Sequence, residues 1–378
     1  MARALGRSLS AARPGARLGA QLGLLCTALA LACAPALAQT KPAGQAEKVV
    51  FGLVSSLTVV NGQLLVAKHL GYLAEEGIEV ETVVFNGTAV LLPQIVQKRV
   101  TVGFPNPDPL ILSRQPGKDP FPLKFYYNVI RENVWEFAVP ATSPVKVLAD
   151  LKGRKLAVGA LTFGNIPLTR AMFKEMGLEV GRDLELVPTG LGAPAFVALK
   201  DGRVDGLNLF DTLHTQLELQ GTPIRRLKMP QKYLDLFSNG LIAHDDTLRS
   251  NPRLLAAFGR AFAKATLVCN ANRAGCVKAA WKEDPRLKPA GDEAKNLADA
   301  VALLNTRYDK YLAFPKGTVP RWGAYPDDAW KNMVQVMVDG GQIQTAAIDL
   351  NSLYTNALVP AMNNFDPAAI LADARKLP

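Results

Sequence analysis

Short apolar runs alternate with amphipathic stretches twice along this chain, and that alternation narrows the fold more than any other feature. Residues 48–53 read as a strand. The polar turn Ser55-Ser56 then leads into an amphipathic stretch, 62–70, stopped by Gly71. Further strands are expected at 78–84, 100–104, 123–128 and 134–139, with a helix running from the Asn86-Gly87-Thr88 turn to residue 96. A second run begins near Ser143, with strands at 155–159, 184–188 and 204–210 and helices at 166–176 and 213–220. From about residue 251 the pattern is almost wholly helical. Repeated strand–loop–helix order predicts an α/β protein with parallel-rich sheets flanked by helices. At roughly 100–200 residues per domain, 378 residues make two lobes.

In such sheets, ligands bind beyond the carboxyl ends of the strands, where helix N-termini present free N–H groups. That rule selects Ser55, Ser56, Asn86 and Thr88 in the first run, with Phe104, Asn106 and Asp108 from the Pro-rich loop 105–109. In the second run it selects Phe163, Asn165, Gly190, Phe210 and Asp211. Three loops from each sheet predict a small molecule held in a cleft between the lobes. The loops carry Asp108 and Asp211 but no Lys or Arg, so a neutral or partly cationic ligand is expected, unless Arg131 or Arg170 reaches the cleft. Both aspartates are equally readable as helix caps, and the phenylalanines as core.

The amino end carries Arg3, Arg7, Arg13 and Arg17 and no acid, followed by an apolar stretch ending in Ala36-Leu37-Ala38. This predicts a signal peptide over residues 1–38 and a periplasmic mature protein, with a lipoprotein attached at Cys33 as the alternative. Without the four arginines, 39 basic side chains stand against 33 acidic ones, with no basic run, so no nucleic-acid partner is expected. Cleavage leaves two cysteines, Cys269 and Cys276. On one continuous helix they would lie about 10.5 Å apart, too far to bridge. The six residues between them read as a helix break, with Asn272 capping the next helix. That makes a Cys269–Cys276 disulfide feasible, two free buried thiols being the alternative.

In the first lobe the segments Val66-Ala67, Gly71-Tyr72-Leu73 and 76–81 carry a family resemblance, and in the second 150–159 and 198–206 do. Gly340-Gly341-Gln342-Ile343 and 363–366 add to it. In these the chain resembles the solute-binding proteins of bacterial ABC importers, in the branch for nitrate, sulfonates, taurine and thiamine-precursor pyrimidines. The resemblance implies a two-lobed type II periplasmic binding protein fold, a monomer that serves a membrane ABC permease with its ATPase, and no chemistry on the ligand. It places lobe I at 47–139 and 242–378 and lobe II at 140–235, with hinge crossings near 138–144 and 233–241. Many relatives carry a tryptophan where this chain has Phe210.

A ligand sensor with a membrane partner is the alternative role. A thiamine-pyrimidine synthase-like enzyme is a further one, but the cysteine-rich iron motif of that enzyme has no counterpart here. His69, His214 and His244 are isolated in sequence, with no metal-ligand or nucleophile–base spacing, so neither metal nor cofactor is expected. The signal reading has a direct consequence. Intact mass of exported protein should correspond to a chain beginning at Gln39. A lipid adduct on Cys33 or a retained leader would overturn it.

Overall fold

The computed structural model describes residues 46–378. The expected signal peptide and the lipidation alternative at Cys33 lie outside the described residues. The strands are β1 (Glu47–Leu53), β2 (Ile78–Val84), β3 (Val102–Phe104), β4 (Leu123–Asn128), β5 (Trp135–Pro140), β6 (Lys155–Val158), β7 (Glu185–Pro188), β8 (Gly206–Phe210), β9 (Ile224–Arg226) and β10 (Gly240–His244). They form two five-stranded sheets, ordered β2-β1-β3-β10-β4 and β7-β6-β8-β5-β9. In the first, β1 runs parallel to β2 and β3, while β10 is antiparallel to both its neighbours. In the second, β6 is parallel to β7 and β8, and β5 is antiparallel to β8 and β9. The parallel-rich α/β expectation is met.

The two reversed strands, β5 and β10, are the ones with which the chain enters a sheet it has just crossed into. The chain leaves β4 at its carboxyl end and enters the second sheet at the corresponding end, so β5 must run the other way. Registry shows this directly. Trp135, first in β5, pairs with Phe210, last in β8, and Gly240, first in β10, pairs with Asn128, last in β4. The passages themselves lie at residues 129–134 and 227–239, and they bond to each other through Ile130 N–H to Asn239 O (3.0 Å) and Ser238 N–H to Ile130 O (2.8 Å). The first passage therefore comes before the expected 138–144, because the strand 135–140 is already paired in the second sheet. Its apolar residues read as the last strand of the first run, and a strand carries no mark of the sheet it joins.

Close packing of helices on the first sheet is set in part by Gly52. A Cβ built there would sit 2.4 Å from Leu91 Cδ1, on the helix Thr88–Val96. On β1, Phe51 meets Phe258 of the helix Pro252–Ala271 at a ring separation of 5.5 Å. The long C-terminal helices are not confined to one half. The helix Glu293–Tyr311 packs on the helix Asp211–Leu219, which follows β8, and also on the helix Arg273–Glu283 and the turn Val59–Asn61 beside the first sheet. The helix Ala329–Asp339 packs on Ile166–Glu175. Assigning 242–378 wholly to the first lobe thus omits a bridge that only packing reveals.

Cys269 and Cys276 are joined, with their Cα atoms 5.4 Å apart. The helix Pro252–Ala271 ends at Ala271, and Asn272 caps the next one by accepting from Gly275 N–H at 2.8 Å, so the chain turns and brings the sulfurs together. A bridge closing so short a loop should contribute about 2.5 kcal/mol through the unfolded chain. Urea unfolding of the Cys269→Ser/Cys276→Ser variant should show a loss of that order. An unchanged midpoint would show that the bridge does nothing for stability.

Candidate functional site

The carboxyl ends of strands from both sheets converge on one cavity of about 630 Å³. After β1 the chain continues through Val54, Ser55 and Ser56 into the turn 58–61. Thr58 holds that turn by accepting from Val60 N–H, while Asn61 Oδ1 accepts from Thr58 N–H at 2.7 Å. All these residues line the cavity, together with Phe104 at the end of β3 and Asn106 after it. The second sheet supplies Trp135, Phe163, Leu191 and Phe210. The indole of Trp135 meets Phe163 edge-on at 6.1 Å and Phe210 edge-on at 5.7 Å, making a continuous aromatic wall.

A further wall comes from the C-terminal region. In the helix Glu293–Tyr311 the residues Asn296, Asp299, Ala300, Leu303 and Arg307 recur every three or four positions and face the cavity together. Asp292 starts this helix by accepting from Ala294 and Lys295 N–H, and Glu293 and Lys310 match the helix dipole at its two ends. Trp281, Arg286 and Leu287 extend the same wall. No loop rule selects any of these residues.

Arg307 is buried, and its guanidinium pairs with Asp211 through Nε and Nη2. Lys310 approaches the same carboxylate at 3.1 Å and Glu136 at 4.0 Å. Burial alone would push the Asp211 carboxyl up, but Arg307 and Lys310 together hold it below the usual carboxylate range. Arg307 stays protonated for the reciprocal reason. Burial disfavours its charge, and Asp211 more than restores it. The guanidinium also lies 5.7 Å from the centre of the Phe210 ring. The cavity therefore sees a cation whose charge is already matched.

Of the residues selected from sequence, Ser55, Ser56, Phe104, Asn106, Phe163 and Phe210 line the cavity. Asn86, Thr88, Asp108, Asn165, Gly190 and Asp211 stand outside that lining. The exposed Asn86 accepts from Thr162 Oγ1 through its carbonyl (2.8 Å), and Ala89 N–H donates to Thr162 O (3.2 Å). These bonds tie a loop of the first sheet to one of the second. Gly87 makes the approach feasible, at φ +96° and with no room for a Cβ against Thr162 O. Buried Thr88 accepts from Asn106 N–H, Asn165 donates to Asn208 Oδ1, and Gly190 N–H bonds Gly159 O.

Asp108 neither caps its helix nor faces the cavity. It occupies the first turn of Asp108–Ser113, fully buried, and burial pushes its carboxyl up to about 8. The N–H groups of Asp108 and Leu168 oppose that rise, but neither oxygen has a hydrogen bond of ordinary geometry. The two aspartates thus give no acidic wall. Arg131 does not reach the cavity, since it donates to the carbonyls of Ala313 and Ala324 and lies over Phe314. His214 is buried and touches Glu136 at 3.1 Å. Among the described residues no group of three His, Cys, Asp or Glu could hold a metal ion.

Trp135 escaped the loop rule because it begins a strand. An aromatic at the start of a strand that follows a crossing stands at the cleft, but nothing local in the sequence marks this strand as following one. Trp135 faces Phe210 across the ladder.

A family model described as NMT1/THI5 like matches residues 60–274. Solved structures similar to the chain include the alkanesulfonate-binding protein of Xanthomonas axonopodis pv. citri bound to MOPS. The two share 16% identity and a TM-score of 0.61 over 83% of this chain and 100% of that one. The periplasmic aliphatic sulphonate binding protein of Escherichia coli is 19% identical, with a TM-score of 0.58 over 81% and 91%. A desulfurization enzyme, DSZB, is 17% identical, with a TM-score of 0.53 over 84% and 99%. These likenesses establish the periplasmic binding protein fold. No curated protein sequence matches the chain.

Replacing Asp211 should unfold the protein more readily than it changes any ligand contact. Asp211→Ala leaves Arg307 buried without its partner, at a cost of about 3–5 kcal/mol in urea unfolding of the ligand-free protein. The pH sign follows from the lowered pKa of Asp211. The stabilisation is complete above the unfolded value of about 3.9 and is lost as pH falls through the lower folded value. A variant as stable as wild type at pH 7 would show that the pair contributes no net stability.

Proposed function

The chain belongs to the NMT1/THI5-like family, and from that premise we propose that it is an extracytoplasmic receptor for a small solute, delivering it to a membrane ABC permease and its ATPase. The observation that carries this reading is the cavity formed by strand ends of both sheets. Its volume of about 630 Å³ lies within the range of small-molecule sites, and most of its wall is apolar or aromatic. Location in the periplasm follows from the leader reading and is supported by what the similar structures are. The chain acts as a monomer in this reading.

Binding without turnover is favoured by what lines the cavity. Ser55 and Ser56 have no histidine or cysteine beside them among the lining residues, so no activated nucleophile is assembled there. Nor does Asp211 have a proton to trade while Arg307 and Lys310 hold it. Capture in this fold proceeds by the two halves closing on the solute. Here closure would use the Thr162 bonds to Asn86 and Ala89 and the contacts that the helix Glu293–Tyr311 makes with both halves.

A metabolite screen by thermal shift tests this. A true ligand at 100 times its Kd should add about 2.7 kcal/mol of stability. Phe163→Ala and Phe210→Ala should each weaken it by about 1 kcal/mol, roughly fivefold by calorimetry, through loss of the aromatic wall. The solute should be recovered unchanged by mass spectrometry. Conversion of it would overturn the receptor reading.

A further inference from the structure

A chain of hydrogen bonds beside the cavity has a single polarity, set by its far end. Asn239 Nδ2 donates to Phe104 O at 2.9 Å, and since a carbonyl only accepts, the amide orientation of Asn239 is determined. Its Oδ1 is then turned to accept from Ser238 Oγ at 3.2 Å, which uses the one proton that hydroxyl has. The Asn106 atom 3.2 Å from Ser238 Oγ is therefore the amide nitrogen, donating. What remains is Asn106 Oδ1, buried and without a partner, on a residue that lines the cavity. Turning Asn106 over would lose a bond, because its oxygen and Asn239 Oδ1 would then compete for the one hydroxyl proton of Ser238.

We infer that Asn106 selects the solute by requiring a hydrogen-bond donor, so that the class bound is a neutral, ring-bearing molecule with an N–H or O–H group. Fully ionised oxoanions, whose oxygens only accept, meet an acceptor there. The inference rests on the receptor reading above and specifies its ligand. Two other features of the same cavity agree with it. The wall of Phe104, Trp135, Phe163 and Phe210 suits a flat apolar body, and Arg307 has its charge already matched by Asp211. Leaving Asn106 Oδ1 buried and unpaired would cost binding energy, whereas a donor on the solute removes that cost. Ser238 and Asn239 lie in the return passage between the sheets, so the selecting group is anchored where the two halves join.

Matched ring pairs test the inference: benzamide against benzenesulfonate, and indole against N-methylindole, titrated calorimetrically to millimolar concentration. Wild type should bind the donor-bearing member of each pair at least tenfold more tightly. Ser238→Ala removes the group that orients Asn106, freeing the amide to present Nδ2 to the cavity. The preference should then shrink tenfold or more, with melting of the ligand-free variant close to wild type. Asn106→Leu should abolish the preference by a different route, and a merely structural role for Ser238 would leave the preference intact in its variant. Preference for benzenesulfonate, an unchanged preference in Ser238→Ala, or failure of every donor-bearing probe while the broad screen yields a ligand would overturn this inference alone. A cavity that holds nothing in either experiment would overturn the receptor reading as well.

Discussion

The rest of this structure depends on a constraint of chain direction. Parallel strands present their carboxyl ends on one side of a sheet, and the chain passes between the two sheets on that side. Any strand that opens after a crossing must therefore run against its neighbours, as β5 and β10 do. This brings strand beginnings as well as strand ends to the cleft. Trp135 and the passage residues Ile130 and Asn239 consequently share a cavity with Phe104 and Phe210.

The cleft is completed by an element that arrives late in the chain. The helix Glu293–Tyr311 bears on both halves, and its anchor is buried ion pairing of Arg307 and Lys310 with Asp211. A pair so deeply buried is poor evidence of net stabilisation, since desolvation consumes most of the attraction. It also places the helix. Asp211 opens the helix after β8, so holding Arg307 there fixes the helix stripe 296–307 as a wall of the cavity. Thr215 and Thr306 meet at 3.1 Å along the same seam.

Several of the polar groups in and beside the cavity are committed to protein partners. Asn239 and Ser238 are spent on each other and on Phe104 O, and Thr58 and Asn61 on their own turn. Asn106 Oδ1 has no such partner, nor do the buried indole N–H groups of Trp135 and Trp281, which line the same cavity. Discrimination in a site of this kind rests on what is left unpaired when the wrong solute enters.

Periodicity alone made the strand–helix alternation, the two-unit organisation and the helical C-terminal third legible. The break at residues 270–275 likewise made the Cys269–Cys276 bridge readable, since capping and helix geometry are local. Half of the selected loop residues reach the cavity, because the strand-end rule is a statement about a sheet and says nothing of what else packs there. Asp108 and Asp211 show the limit best. A buried aspartate and a ligand-binding one look alike in sequence, and only packing brought Arg307, 96 residues away, to Asp211. Local backbone preference and hydrophobic spacing are written within a few residues of each position. Which sheet a strand joins, which helix face closes a cavity and which charges meet are settled by contacts between distant segments, and those the tertiary structure decided.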